Sequence, residues 1–124
     1  MQDTNAFLTR YMAMWHETDP ARRRAIIASL WAADGECYTG KSASRGIDEV
    51  AARVTRSHDE WVAQKGYVFR PAGNTDRHHH VLKFFWHMVP RDGGKVEAMG
   101  LDLFVFDADG RIRVLYQFNE PTPA

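Results

Sequence analysis

Apolar residues recur at helical spacing through the first half of the chain and at every second position through the rest. Phe7, Leu8, Tyr11, Met12 and Trp15 form a stripe of helical period over residues 4–17, with Arg10 and Glu17 off it. Asp19-Pro20 stops this helix and starts the next: Asp caps it, and Pro takes its first turn, where a missing N–H costs nothing. Ile26, Ile27, Leu30 and Trp31 make the second stripe, while Arg22, Arg23 and Arg24 read as a solvated face. Asp34-Gly35 breaks that helix, and Glu36–Thr39 reads as a short strand. Gly40–Gly46 has the small polar composition of a mobile loop. A third helix runs from Ile47 to about Gln64, with Ile47, Val50, Ala51, Val54, His58, Trp61 and Val62 on one face, and Gly66 ends it.

The period then changes to two. Tyr67–Arg70 is a strand, and His80–Val89 a second, with His80, Leu82, Phe84, Trp86 and Met88 on one face and Lys83, Phe85 and His87 on the other. Lys95–Phe106 and Arg111–Asn119 follow, separated by Asp107-Ala108-Asp109-Gly110 as a hairpin turn. The order α-α-β-α-β-β-β-β predicts an α+β fold with helices packed on one face of an antiparallel sheet. A curved sheet closed by helices on its concave side leaves a cone, which is a natural pocket.

Length and composition narrow this picture. The 124 residues suit one domain spanning 1–124, with no linker, internal repeat or low-complexity segment. Sixteen Lys and Arg balance sixteen Asp and Glu, which argues against a nucleic-acid binder and removes the repulsion that opposes self-association. No apolar run approaches the ~20 residues needed to cross a bilayer, so no membrane partner is expected. The opening MQDTNAF lacks the basic and apolar regions of a secretory signal. The lone Cys37 fits a reducing compartment, so the expected location is cytoplasmic.

Particular residues carry a likeness. Arg10-Tyr11-Met12-Ala13, Asp19-Pro20, Leu30-Trp31-Ala32-Ala33-Asp34, Gly46-Ile47 and the run from Gly100 to Ile112 resemble the nuclear transport factor 2-like (NTF2-like) superfamily, most nearly its SnoaL-like branch. The resemblance covers about residues 4–120 and implies a cone-shaped α+β barrel. It is weak for activity, because the superfamily holds isomerases, cyclases, dehydratases, epoxide hydrolases and plain binders. Ketosteroid isomerases offer the sharpest comparison: a first-helix tyrosine and a late-strand neutral acid hold a dienolate oxygen while a first-strand carboxylate moves the proton. Tyr11 and Asp102 match the first two positions. The base position falls on Thr39, which accepts no proton at neutral pH.

Asp102 alternates with Gly100, Phe104 and Phe106, so it faces the same side as apolar residues. Burial there would raise its pKa, and a neutral Asp102 beside Tyr11 would form an electrophilic site for a carbonyl or enolate oxygen. It reads equally well as a structural acid satisfied by Tyr11 or a backbone N–H. His58, on the third helix stripe, is the candidate base, and His16 the alternative. Trp15, Cys37, Thr39, Phe84, Trp86 and Phe104 are inward-facing candidates for ligand contact, joined by Leu115, Gln117 and Asn119 on the last strand. His78-His79-His80 suggests metal but fails as a strand motif, because consecutive residues face opposite sides. No metal and no cofactor are therefore expected.

The expected ligand is a small hydrophobic or oxygen-rich molecule. Phe85, Tyr116 and Phe118 on the opposite sheet face suit a homodimer. Three functions stay open: an enolate-type isomerase, cyclase or dehydratase; a non-catalytic binder; and a dimerisation module.

Overall fold

The structure, a computed structural model, describes residues 3–122. Asp3 caps α1 (Thr4–His16) by accepting from the Ala6 N–H, and Phe7, Leu8, Tyr11, Met12 and Trp15 are all buried, as the stripe predicts. Asp19 caps α2 (Pro20–Leu30) through the Arg22 N–H, with Pro20 in the first turn. The helix stops earlier than its apolar spacing suggests. Trp31 is already extended and opens β1 (Trp31–Tyr38). Gly35 breaks no helix: a Cβ there would lie 2.7 Å from the Trp31 ring and 2.8 Å from the Ile112 carbonyl, in the bulged pairing of two strands. A pair such as Leu30-Trp31 satisfies either period, so only the packing separates helix from strand.

The loop expected over 40–46 contains β2 (Ala43–Arg45), paired with β1. It leads into α3 (Gly46–Ser57), which continues as a π-helical segment (His58–Gln64). Val50, Val54, His58 and Val62 recur every four residues, and all are buried. That spacing drifts about 40° per step around an α-helix of 3.6 residues per turn. The wider π turn brings the later residues back to the buried side.

The remaining strands are β3 (Tyr67–Pro71), β4 (Asp76–His78), β5 (Val81–Pro90), β6 (Ala98–Phe106) and β7 (Ile112–Glu120). β4 was not legible as a strand, and β6 starts at Ala98 rather than Lys95. The seven strands form one curved sheet in the order β2-β1-β7-β6-β5-β3, with β4 beside β5. Every pairing is antiparallel except β1 with β7. Helices and sheet enclose one core around Tyr11, Trp31, Phe84, Phe104, Ile112 and Leu115. The fold is thus the α+β cone that the element order predicts.

One arginine departs from the solvated face read for it. Arg23 is buried; its Nε and Nη2 donate to the Glu17 carbonyl at 3.0 and 2.7 Å, and Nη1 donates to Thr55 Oγ1 at 3.1 Å. It therefore satisfies the end of α1 and ties it to α3. Arg23→Met keeps the stem but leaves those acceptors bare, so it should cost about 3 kcal/mol in urea unfolding. Unchanged stability would contradict the role given to this residue.

Candidate functional site

Strand register sorts the inward residues by depth. Leu82, Phe104 and Leu115 make one row across β5, β6 and β7, and Cys37 on β1 pairs with Leu115 at the same level. The next row is Phe84, Asp102 and Gln117; the one beyond is Trp86, Gly100 and Asn119. Below, Phe7, Tyr11, Phe84 and Phe104 pack edge-to-face and stacked, filling the narrow end of the cone. Above, the cone is open, with a cavity of about 730 Å³. Its apolar wall is carried by Met12, Trp15, Trp61, Phe69, Trp86 and Met88.

Asp102 stands where the two halves meet, on the cavity lining yet only 1% exposed. Three side chains donate to it. Tyr11 Oη reaches Oδ2 at 2.6 Å, Trp86 Nε1 reaches Oδ1 at 2.9 Å, and Gln117 Nε2 reaches Oδ1 at 3.2 Å and Oδ2 at 3.4 Å. Burial pushes the carboxyl pKa up to about 6, although the Tyr11, Trp86 and Gln117 hydrogen bonds and the charge of Arg53 all pull it down. Burial, with the adjacent Asp102 charge and hydrogen bond, holds the Tyr11 hydroxyl well above the usual phenol range. A carboxyl near 6 is accessible in both forms close to neutrality. Ionised, it accepts all three hydrogen bonds. Protonated on Oδ2, it can donate to Tyr11 and free the Tyr11 O–H for another acceptor.

This geometry can be set beside known proteins. No family model matches the chain, and no curated protein matches it. Among solved structures, a proposed isomerase of the SnoaL-like family from Agrobacterium tumefaciens superimposes with a TM-score of 0.84 at 27% identity, over 94% of this chain and 96% of that one. The chain has the NTF2-like fold and is similar to the SnoaL-like branch of that superfamily. More distant likenesses share the fold. An NTF2-like protein from Exiguobacterium gives 0.69 at 22% identity over 94% and 99% of the two chains. A proposed polyketide cyclase from Sinorhizobium meliloti gives 0.65 at 15% identity over 90% and 93%.

Within this cone the anticipated residues divide. Tyr11, Trp15, Thr39, Trp86, Asp102, Gln117 and Asn119 reach the cavity wall. Cys37, Phe84, Phe104 and Leu115 do not; each lies in the buried core, because inward parity includes the filled end of the cone as well as the open one. Burial also pushes the Cys37 thiol up to about 12, which keeps it protonated. His58 is a correction of the same kind. It is 4% exposed with Nδ1 at 2.8 Å from the Trp15 carbonyl, and it is absent from the cavity lining.

His16 is engaged as well: Nε2 accepts from the Phe69 N–H at 2.9 Å, and Nδ1 lies 2.9 Å from the Met12 carbonyl. Burial lowers its pKa. Thr39 uses its hydroxyl to accept from the N–H groups of Lys41 and Ser42, which shapes the loop at the rim. His78 and His80 are exposed, and among the described residues no group of three His, Cys, Asp or Glu stands close enough to hold a metal.

Sequence reasoning passed over Met12, Trp61, Phe69 and Met88 of the apolar wall and, with more consequence for chemistry, Arg53. It flanks the α3 stripe three residues after Val50, donates from Nη2 to Gln117 Oε1 at 3.2 Å, and places Cζ 5.7 Å from the Trp15 ring centroid. A cation at the edge of an apolar stripe is the one signal that would have found it. Gln117 is thereby held at both ends, its Nε2 on Asp102 and its Oε1 on Arg53.

Proposed function

We propose that the cone binds a small molecule, apolar in body and oxygen-bearing at one end, and moves a proton on a carbon next to a carbonyl. The reaction class is isomerase, cyclase or dehydratase through an enolate. The observation that carries this reading is a buried carboxyl on the cavity lining, held near pH 6 and touching Tyr11 at 2.6 Å. Asp102 is the base in this scheme, replacing His58. Its Oδ2, with one short bond and one long contact, takes the proton. The C–H electron pair then becomes the enolate, and the newly neutral Asp102 lets Tyr11 turn its O–H toward the enolate oxygen. Returning the proton to another carbon completes an isomerisation.

The decisive measurement is solvent deuterium exchange on a panel of β-keto and β,γ-unsaturated ketones. Wild type should exceed buffer, and Asp102→Asn should slow exchange by about 10²-fold or more. A second reading, binding without chemistry, is favoured by one observation: Asp102 is almost fully enclosed and already accepts three hydrogen bonds. Ligand-induced thermal stabilisation with no exchange above buffer would establish it.

The same proposal treats residues 1–124 as one domain acting in the cytoplasm, as a homodimer. No helix among the described residues is long and apolar enough to cross a membrane. On the outer sheet face Tyr116 and Phe118 are 41% and 51% exposed, and Tyr38 stacks on Tyr116. A second copy is the expected cover for these rings. Sedimentation at micromolar concentration should give twice the 14.2 kDa chain mass, falling to one chain for Phe118→Arg; a single-chain species for wild type would remove the dimer.

A further inference from the structure

Proton transfer at Asp102 leaves Arg53, the half-buried cation of the cavity wall, without a task. It spends one donor on Gln117 and spreads over the Trp15 ring. Among the described residues it enters no ion pair. A guanidinium offers five N–H donors in a planar fork, so most of its capacity is unspent. The acids of the cavity make no hydrogen bond to it, although Asp102 feels its charge. Asp102 is committed to three other donors, and Glu60 is exposed on the wall. Lys41 and Arg56 add positive charge, so three basic side chains meet two acidic ones on this lining.

We infer that the ligand is a small carboxylic acid, whose carboxylate takes the free edge of Arg53 and whose ring or chain lies on the Trp15, Phe69 and Trp86 surface. A planar carboxylate matches the fork bidentately and supplies the missing counter-charge. A dianionic phosphate suits the site less well, since the ionised Asp102 lies just across Gln117. That amide touches both Arg53 and Asp102, so the carboxylate and the reacting carbon lie a few bonds apart. Combined with the proton-transfer reading, this specifies a keto acid. The inference rests on the cavity being the ligand site and not on Asp102 moving a proton.

The test pairs acids with their neutral amides: indole-3-acetate, 1-naphthylacetate and 4-phenylbutyrate against the matching carboxamides, titrated by calorimetry. At least one acid should bind wild type about 10- to 100-fold more tightly than its amide. Arg53→Gln should erase the preference, and Arg53→Lys should retain part of it. Binding is read without turnover, so the preference is measured independently of any proton transfer. A wild type that prefers no acid over its amide, whether both bind or neither does, overturns the inference; so does a preference that survives Arg53→Gln. Equal affinities alongside Asp102-dependent exchange would sink this inference alone. A clear acid preference without exchange would sink only the proton-transfer reading.

Discussion

Asp102→Asn is expected to make the protein more stable at neutral pH while slowing proton exchange by about 10²-fold or more. The carboxyl sits near 6 in the folded protein against its ordinary 3.8, so the folded state binds the proton more tightly than the unfolded chain does. Stability contributed by this group is therefore present below pH 3.8, declines as pH rises toward 6, and is fully lost above that. Keeping the ionised form buried costs about 3 kcal/mol. Asn is neutral throughout, and its amide can present Oδ1 to Trp86 and Gln117 and Nδ2 to Tyr11, whose hydroxyl then accepts. Relative to wild type it should gain up to about 3 kcal/mol at pH 8, or roughly 10 °C in Tm for a domain this size. The gain should shrink toward zero as pH falls to 4. Comparing the two proteins in urea across that range cancels the other titrating groups. A difference independent of pH, or a loss at pH 8, would show that no carboxyl is held out of water at a cost. In the same picture wild-type kcat/KM rises through about pH 6 as the base ionises.

Gly100→Ala should be costly for a reason visible only across two strands. A Cβ on Gly100 would sit 2.2 Å from Cζ2 and 2.4 Å from Cε2 of Trp86, its cross-strand partner. The indole must therefore move, and it cannot do so while its Nε1 keeps the 2.9 Å bond to Asp102. Overpacking and the loss of a hydrogen bond to a buried carboxylate together predict about 3 kcal/mol of destabilisation. Losing a donor also favours neutral Asp102, so the ionisation step should move to higher pH. The control is Trp86→Phe, whose smaller ring tolerates the methyl: in that background Gly100→Ala should cost less than about 1 kcal/mol, a coupling near 2 kcal/mol. Equal costs in both backgrounds would mean that Gly100 is not there to seat the indole.

Much of the fold was legible because each element repeats one simple period. The α1 stripe, the Asp19 cap and the parity of Gly100, Asp102, Phe104 and Phe106 all follow from residue type and side-chain direction within a single helix or strand. The same logic was blind at element ends. Leu30-Trp31 suited a helix as well as a strand, and β2 and β4 were too short for a period to show.

Parity names the face a residue uses but says nothing about depth along it. That is why Phe84, Phe104, Leu115 and Cys37 joined Trp86, Gln117 and Asn119 as contacts, although one set fills the cone and the other lines it. His58 failed for a related reason, since a place on an apolar stripe marks burial and not which neighbour is met.

The sequence by itself determined most of the element order, the inward faces and the cone architecture, since these depend on local period, and its family resemblance pointed to the Tyr11–Asp102 pair. Only the tertiary structure decided the state of that pair and the company it keeps. Burial and three converging donors from different elements make Asp102 a carboxyl poised near pH 6. The meeting of α3 with β7 brings Arg53 to Gln117, a contact that the local sequence marks only by a cation at the edge of an apolar stripe. Desolvation and ion pairing depend on what surrounds a group in space, and that is set by the packing of elements distant in the chain.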